Sequence, residues 1–169
     1  MSRRDLSVLV VAALVLGVAG LWQPQDPHAI DIAGAHASPS FAHLLGSDHL
    51  GRDMLSRLML GAGHTVVVLA TVGAISYLLG VTLGVLAAAS GGPIEALILR
   101  AAEFLVIMPA LVFALAVTAL LGLNPLSAGI ALGVAGAGPY ALVAHGLATR
   151  LLATPFTRAA AALGASPVR

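Results

Sequence analysis

Charged residues fall in short islands separated by long apolar stretches. No Asp, Glu, Lys or Arg occurs in residues 58–94 or 104–149. About 20 apolar residues in a helix cross a ~30 Å hydrocarbon core, so the pattern predicts bilayer spans. Four are expected, over residues 6–22, 62–89, 94–123 and 126–148. The first has Arg3 and Arg4 before it and Trp22 at its far end. A cleaved signal peptide also fits that basic start and the small residues from Ala33 to Ala37, but the spans that follow favour an uncleaved helix.

Between the first two spans lies a polar segment with Pro24, Pro27 and Pro39 and the histidines His28, His36, His43 and His49, expected to be an aqueous loop. Its end, Gly51-Arg52-Asp53-Met54-Leu55-Ser56-Arg57-Leu58-Met59-Leu60, sorts by helical period. Met54, Leu55, Leu58 and Met59 fall on one face, and Arg52, Asp53, Ser56 and Arg57 on the other. This predicts an interfacial amphipathic helix with an Asp53–Arg57 i, i+4 pair.

In the second span Gly73, Gly80 and Gly84 share a face, and Gly80-x-x-x-Gly84 is the spacing that lets helices approach closely. His64, Thr71 and Thr82 share the opposite face. They either line a solute pathway or, for the threonines, bond their own i−4 carbonyls. Arg100 and Glu103 open the third span and can pair at i, i+3, and Pro109 predicts a kink there. The fourth span carries Gly129, Gly133, Gly136 and Gly138, with Pro139 predicting a second kink and His145 expected at the interface, bonded to water.

After the last span comes a short helix. Thr154 is expected to cap it, Pro155 suits its first position and Gly164 its left-handed end. Nine residues at 1.5 Å give roughly 14 Å, too short to span a bilayer. Phe156, Ala160 and Leu163 fall on one side, the spacing of an apolar knob offered to a partner.

Composition narrows the class. Hydrophobic residues make up 59% and charged residues 9% of the chain, with mean hydropathy +1.02, more apolar surface than a soluble domain of this size buries. Net charge is +1 without any lysine, which excludes a basic nucleic-acid-binding face. Cysteine is absent, so disulfide and thiolate chemistry are excluded. No G-x-x-x-x-G-K-[ST], Gly-x-Ser-x-Gly or His-Glu-x-x-His motif is present, and Ser76, Tyr77, His64, Tyr140 and His145 make no recognisable catalytic set. His28, His36, His43 and His49 could ligate a borderline metal, which would make an outer-loop metal-binding membrane protein the alternative, but their spacings of 8, 7 and 6 fit no compact site; a solvated loop is expected, with no resident metal or other cofactor. With the N-terminus cytoplasmic, Arg3, Arg4, Arg100, Arg150, Arg158 and Arg169 lie inside and only Arg52 and Arg57 outside, in keeping with the positive-inside bias. Both termini are then cytoplasmic.

Three stretches resemble the permease subunits of binding-protein-dependent ABC importers, specifically the C-type subunits of the dipeptide, oligopeptide and nickel group. His43 to Leu58 is similar to that group's H-x-L-G-T-D-x-x-G-R-D-x-x-S-R segment, with Ser47 in place of threonine. Its matching site residues are Gly46, Asp48, Gly51, Arg52, Asp53 and Arg57. Ser90-Gly91-Gly92 with Arg100, Glu103 and Pro109 resembles the family's turn and kinked helix, Glu103 standing where aspartate is common. Ala159 to Ser166 resembles the motif that docks into the ATPase, which implies a coupling helix with Phe156, Arg158, Ala159, Ala160, Leu163 and Gly164. Arg158 stands where glutamate is usual, and Leu142 and His145 where arginines are.

The resemblance implies the N-terminal part of a six-helix type I permease fold: an all-α membrane protein of about four transmembrane helices, an extracytoplasmic amphipathic helix and a cytoplasmic coupling helix. Residues 1–60 would form the first helix and outer loop, and residues 61–169 an incomplete transmembrane domain. The family continues through two further spans, so a fragment, truncated product or degenerate copy is expected. The implied location is the bacterial inner membrane. The implied partners are a second permease subunit, ATP-binding subunits that carry out hydrolysis, an extracytoplasmic solute-binding protein and membrane lipid, with no nucleic acid.

Overall fold

The computed structural model describes Asp5, Ser7, Gly17, Val18 and residues 20–164, without the side chains of Arg158, Ala160 and Ala161. Most of the first expected span lies outside the described residues, as do Arg3, Arg4 and Arg169. The chain divides into two compact units, Met1–Val67 and Val68–Arg169. Among the described residues from 32 onward, five α-helices follow in order: α1 (Met54–Ser90), α2 (Gly92–Ile107), α3 (Ala110–Leu121), α4 (Pro125–Leu152) and α5 (Pro155–Ala162), preceded by a 3-10 turn at Ile32–Gly34. Among the described residues, α1 and α4 are each long and apolar enough to cross a membrane, and α2 with α3 would make a third span if the bent pair counts as one.

The expected amphipathic segment and second span are one continuous helix of 37 residues. At 1.5 Å per residue it is roughly 55 Å long, well beyond a hydrocarbon core. In its first turns the inward side is polar in part: Asp53 and Ser56 are buried, while Met54, Arg57 and Leu58 are exposed.

The expected kink at Pro109 is a complete break, with α2 and α3 meeting at 98°. Pro109 has no N–H to donate and forces its predecessor out of the helical region. Met108 accordingly has φ −71° and ψ 129°, and Pro109 itself ψ 113°. Two successive extended residues turn the chain. In contrast, α4 runs on through Pro139. It starts from a capping box in which Asn124 Oδ1 accepts from the Ser127 amide at 2.9 Å.

In the second unit α4 packs against α2 and α3 and also against the later part of α1. Its buried positions are all Gly, Ala or Ser, among them Gly129, Gly133, Ala137 and Ala141. The large apolar side chains, such as Leu111, Leu120 and Leu147, point outward. This is the distribution of a chain whose outer solvent is lipid: small residues let backbones meet, and bulky ones have no reason to hide.

Contact between α1 and α4 is close enough to require glycine. A Cβ on Gly80 would lie 2.6 Å from the Ala137 carbonyl oxygen, and one on Gly84 2.8 Å from Ala144 Cβ and 2.9 Å from His145 N. Across the seam, Ser76 Oγ donates to the Gly133 carbonyl at 2.9 Å. Gly73 is not part of this contact, because a Cβ there meets nothing within 4 Å. Seven residues from Gly80 places it on the same face by count. The seam, however, follows the i±4 row Val72, Ser76, Gly80 and Gly84, which rotates roughly 40° per step. At the level of Gly73 it has turned away.

The second face of α1 is also not a polar stripe. Thr71 packs on Gly129, and Thr82 donates to its own i−4 carbonyl at Leu78.

Candidate functional site

The residues of the His43 to Leu58 segment form a clasp that folds the loop onto the start of α1. Asp48 is its hub. Its Oδ1 accepts from the Leu50 amide at 2.8 Å and the Arg52 amide at 3.1 Å, while Oδ2 accepts from Arg52 Nε at 2.8 Å and lies 2.7 Å from Arg52 Nη2. Arg57 Nη1 approaches the same oxygen at 3.5 Å. The Arg52 guanidinium, together with those amides, outweighs partial burial and holds the Asp48 carboxyl well below the usual carboxylate range.

Asp53 is the N-cap of α1. Its Oδ2 accepts from the Ser56 amide at 2.8 Å and the Ser56 hydroxyl at 2.7 Å, and Oδ1 accepts from His43 Nδ1 at 3.1 Å. Burial pushes this carboxyl up, but the two Ser56 donors and His43 together pull it further down, so it ends below its ordinary value. The expected Asp53–Arg57 ion pair is not formed among the described residues. The cap turns the carboxylate inward, and Arg57 points to Asp48 instead.

Backbone bonds tie this hub to the earlier loop. The Asp31 amide donates to Leu50 O at 3.1 Å, His36 to Asp48 O at 3.0 Å, and Met54 to Gly46 O at 3.1 Å. Ser47 and Asp53 form an antiparallel bridge, and Ser56 Oγ accepts from the Gln25 amide at 3.0 Å. Gly51, at φ +76°, crosses Asp31 so closely that a Cβ would enter the shell of the Asp31 carbonyl oxygen. The loop expected to be loosely structured is thus knitted together, and Gly46, Asp48, Gly51, Arg52, Asp53 and Arg57 lie within it.

Both carboxylates titrate lower when folded, so their contribution is complete above the unfolded value of about 4 and is lost as pH falls toward their folded values. Protection of the loop amides of His36, Leu50 and Arg52, corrected for intrinsic exchange, is therefore expected to be flat from pH 7 to about 5 and to fall steadily below about 4. Unchanged protection down to pH 2 would show that the carboxylates do not hold the clasp.

Sequence reasoning missed Ser56, which is completely buried, along with His43 and Asp31. The signal for Ser56 was present, since Asp-x-x-Ser before an apolar run is a cap pattern. It also missed Glu95. His145 Nε2 donates to Glu95 Oε1 at 2.6 Å, tying the start of α2 to α4, so His145 does not rest on water alone. Arg100 and Glu103, expected to pair, make no ion pair among the described residues. Nor do any three of His, Cys, Asp and Glu come together as a metal site there.

At the other end, α5 is eight residues long. Thr154 does not turn to the free amides of α5; its hydroxyl donates back to Leu151 O at 2.8 Å. Thr157 Oγ1 lies 2.8 Å from Leu151 O and 3.0 Å from Leu152 O. Both hydroxyls serve the carbonyls that end α4. Phe156 is 81% and Leu163 89% exposed, Ala159 is exposed, and Gly164 closes the helix at φ +91°. The side chains of Arg158 and Ala160 lie outside the described residues.

Long apolar helices that meet at small residues and turn their bulky apolar side chains outward define a multi-pass membrane protein. Residues 80–169 match the family described as the binding-protein-dependent transport system inner membrane component, and the chain belongs to that family. It is 32% identical over 161 residues to the Probable D,D-dipeptide transport system permease protein DdpC of Escherichia coli strain K12, covering 95% of this chain and 54% of that protein. Against the nickel transport system permease protein NikC of the same strain it is 32% identical over 170 residues, covering 99% of this chain and 60% of the relative. The chain thus spans little more than half the length of these relatives.

Proposed function

We propose that the chain forms part of the translocation pathway of an ABC importer for peptides or nickel, with α5 as the helix that couples it to a separate ATP-binding subunit. The observation that carries this reading is the family match over residues 80–169, a region whose α5 leaves Phe156 and Leu163 exposed. A helix too short to span and apolar on one side suits a groove on a partner. ATP hydrolysis then belongs to that partner. The arginine asymmetry supports a cytoplasmic α5 and cytoplasmic termini with the clasp outside, where it would meet a solute-binding protein. A second permease subunit would complete the pathway, and the glycine seam between α1 and α4 would let helices rock in alternating access.

Gly164→Val tests the coupling. A β-branched residue at φ +91° is strained by roughly 1–2 kcal/mol, enough to unwind the end of a short helix. In an intact importer complex, uptake and co-purification of the ATP-binding subunit are expected to fall while the level of the permease in the membrane holds. Unchanged uptake would sink the coupling role of α5.

A further inference from the structure

We propose that two adjoining clefts beside the start of α1 form a binding site for one anionic phospholipid. The first is polar, with a volume of about 300 Å³, and is lined by His28, Arg52, Arg57 and His64 with Pro27, Leu60 and Gly61. The second is apolar, about 480 Å³, and runs past Val18, Leu21, Gly63 and Val67. Leu60 and His64 line both clefts. A charged compartment therefore adjoins an apolar one across Leu60 and His64.

The charge balance selects an anion. Asp48 engages Arg52 at 2.7 Å, but Arg57 stands 3.5 Å from it, beyond a hydrogen bond, and its side chain is 41% exposed. The rings of His28 and His64 have no hydrogen-bond partner among the described residues. Two guanidiniums against one carboxylate leave a net positive charge, and each imidazole can offer an N–H, so the compartment favours a phosphate over a metal cation.

The second cleft selects a lipid. Inorganic phosphate would use only the polar compartment, whereas a phosphodiester carrying acyl chains fills both. The position agrees, since Arg57 is the last charged residue before the uncharged stretch of α1, the level at which headgroup phosphates meet basic side chains. The site does not depend on which side of the membrane the loop occupies, nor on ATPase coupling.

The test uses the full chain, purified in mild detergent, stripped of lipid and titrated in native mass spectrometry with phosphatidylglycerol, phosphatidylcholine or sodium phosphate. Phosphatidylglycerol is expected to bind in preference to phosphatidylcholine. Arg57→Gln should weaken it about fivefold, the effect of one basic residue at a lipid surface, and Arg57→Lys should retain most of the affinity. Leu60→Trp, which fills the junction of the clefts, should weaken it as well. Loop-amide protection reports whether each variant keeps the clasp. Equal binding of the two lipids, or unchanged phosphatidylglycerol affinity in Arg57→Gln with the clasp intact, would overturn the proposal. So would competition by equimolar inorganic phosphate combined with indifference to Leu60→Trp, which would define a phosphate site instead.

Discussion

Gly51→Val is expected to undo the clasp. Two costs coincide at this position. A β-branched residue at φ +76° is strained by roughly 1–2 kcal/mol, and its Cβ would overlap the Asp31 carbonyl, which cannot move far without disturbing the hydrogen bond from the Asp31 N–H to the Leu50 carbonyl. Overpacking against fixed backbone adds about 1–3 kcal/mol. Together these exceed what a loop of this size can absorb, so the Asp48 and Asp53 networks should open together. The measurement is protease cleavage of the loop in membranes, expected to rise by more than tenfold. Protease resistance equal to that of the unsubstituted chain would show that the crossing with Asp31 is unimportant.

The second large effect is expected in the seam. Gly84→Val places methyl groups where Ala144 and the His145 amide already stand. Neither can yield without shifting α4 and the His145–Glu95 bond with it. A cost of about 1–3 kcal/mol or more follows, seen as a fall in the temperature at which the purified chain aggregates. Gly73→Ala, with nothing within 4 Å, should instead be neutral or slightly stabilising, because alanine favours helix by up to about 1 kcal/mol over glycine. Similar losses at both glycines would mean that the i±4 seam has been misplaced.

The contrast between Gly73 and Gly84 shows what the sequence could and could not say. Spacing identifies residues that share a face, but the path of a neighbouring helix across that face depends on crossing geometry, which no single helix encodes. Similarly, helical period separated Asp53 and Ser56 from Met54 and Leu58, yet which side turned inward was decided by Asp53 capping the helix and by the loop folding over it, and Arg57 stayed exposed. Pro109 announced a disruption; its completion at 98° rests on two consecutive extended residues. The uncharged stretches and the short terminal helix were readable because bilayer thickness and rise per residue set them directly. Glu95 and His145 are 50 residues apart, and only packing brings them together.

The small side chains at the helix contacts of the second unit also have a thermal consequence. Among the described residues of that unit the buried apolar side chains are alanines, and no leucine is buried. Parting α1 from α4 within lipid transfers almost no apolar surface into water, so the associated change in heat capacity is small. The free energy of this contact then varies gently with temperature, lacking the pronounced curvature of soluble domains and their tendency to loosen in the cold.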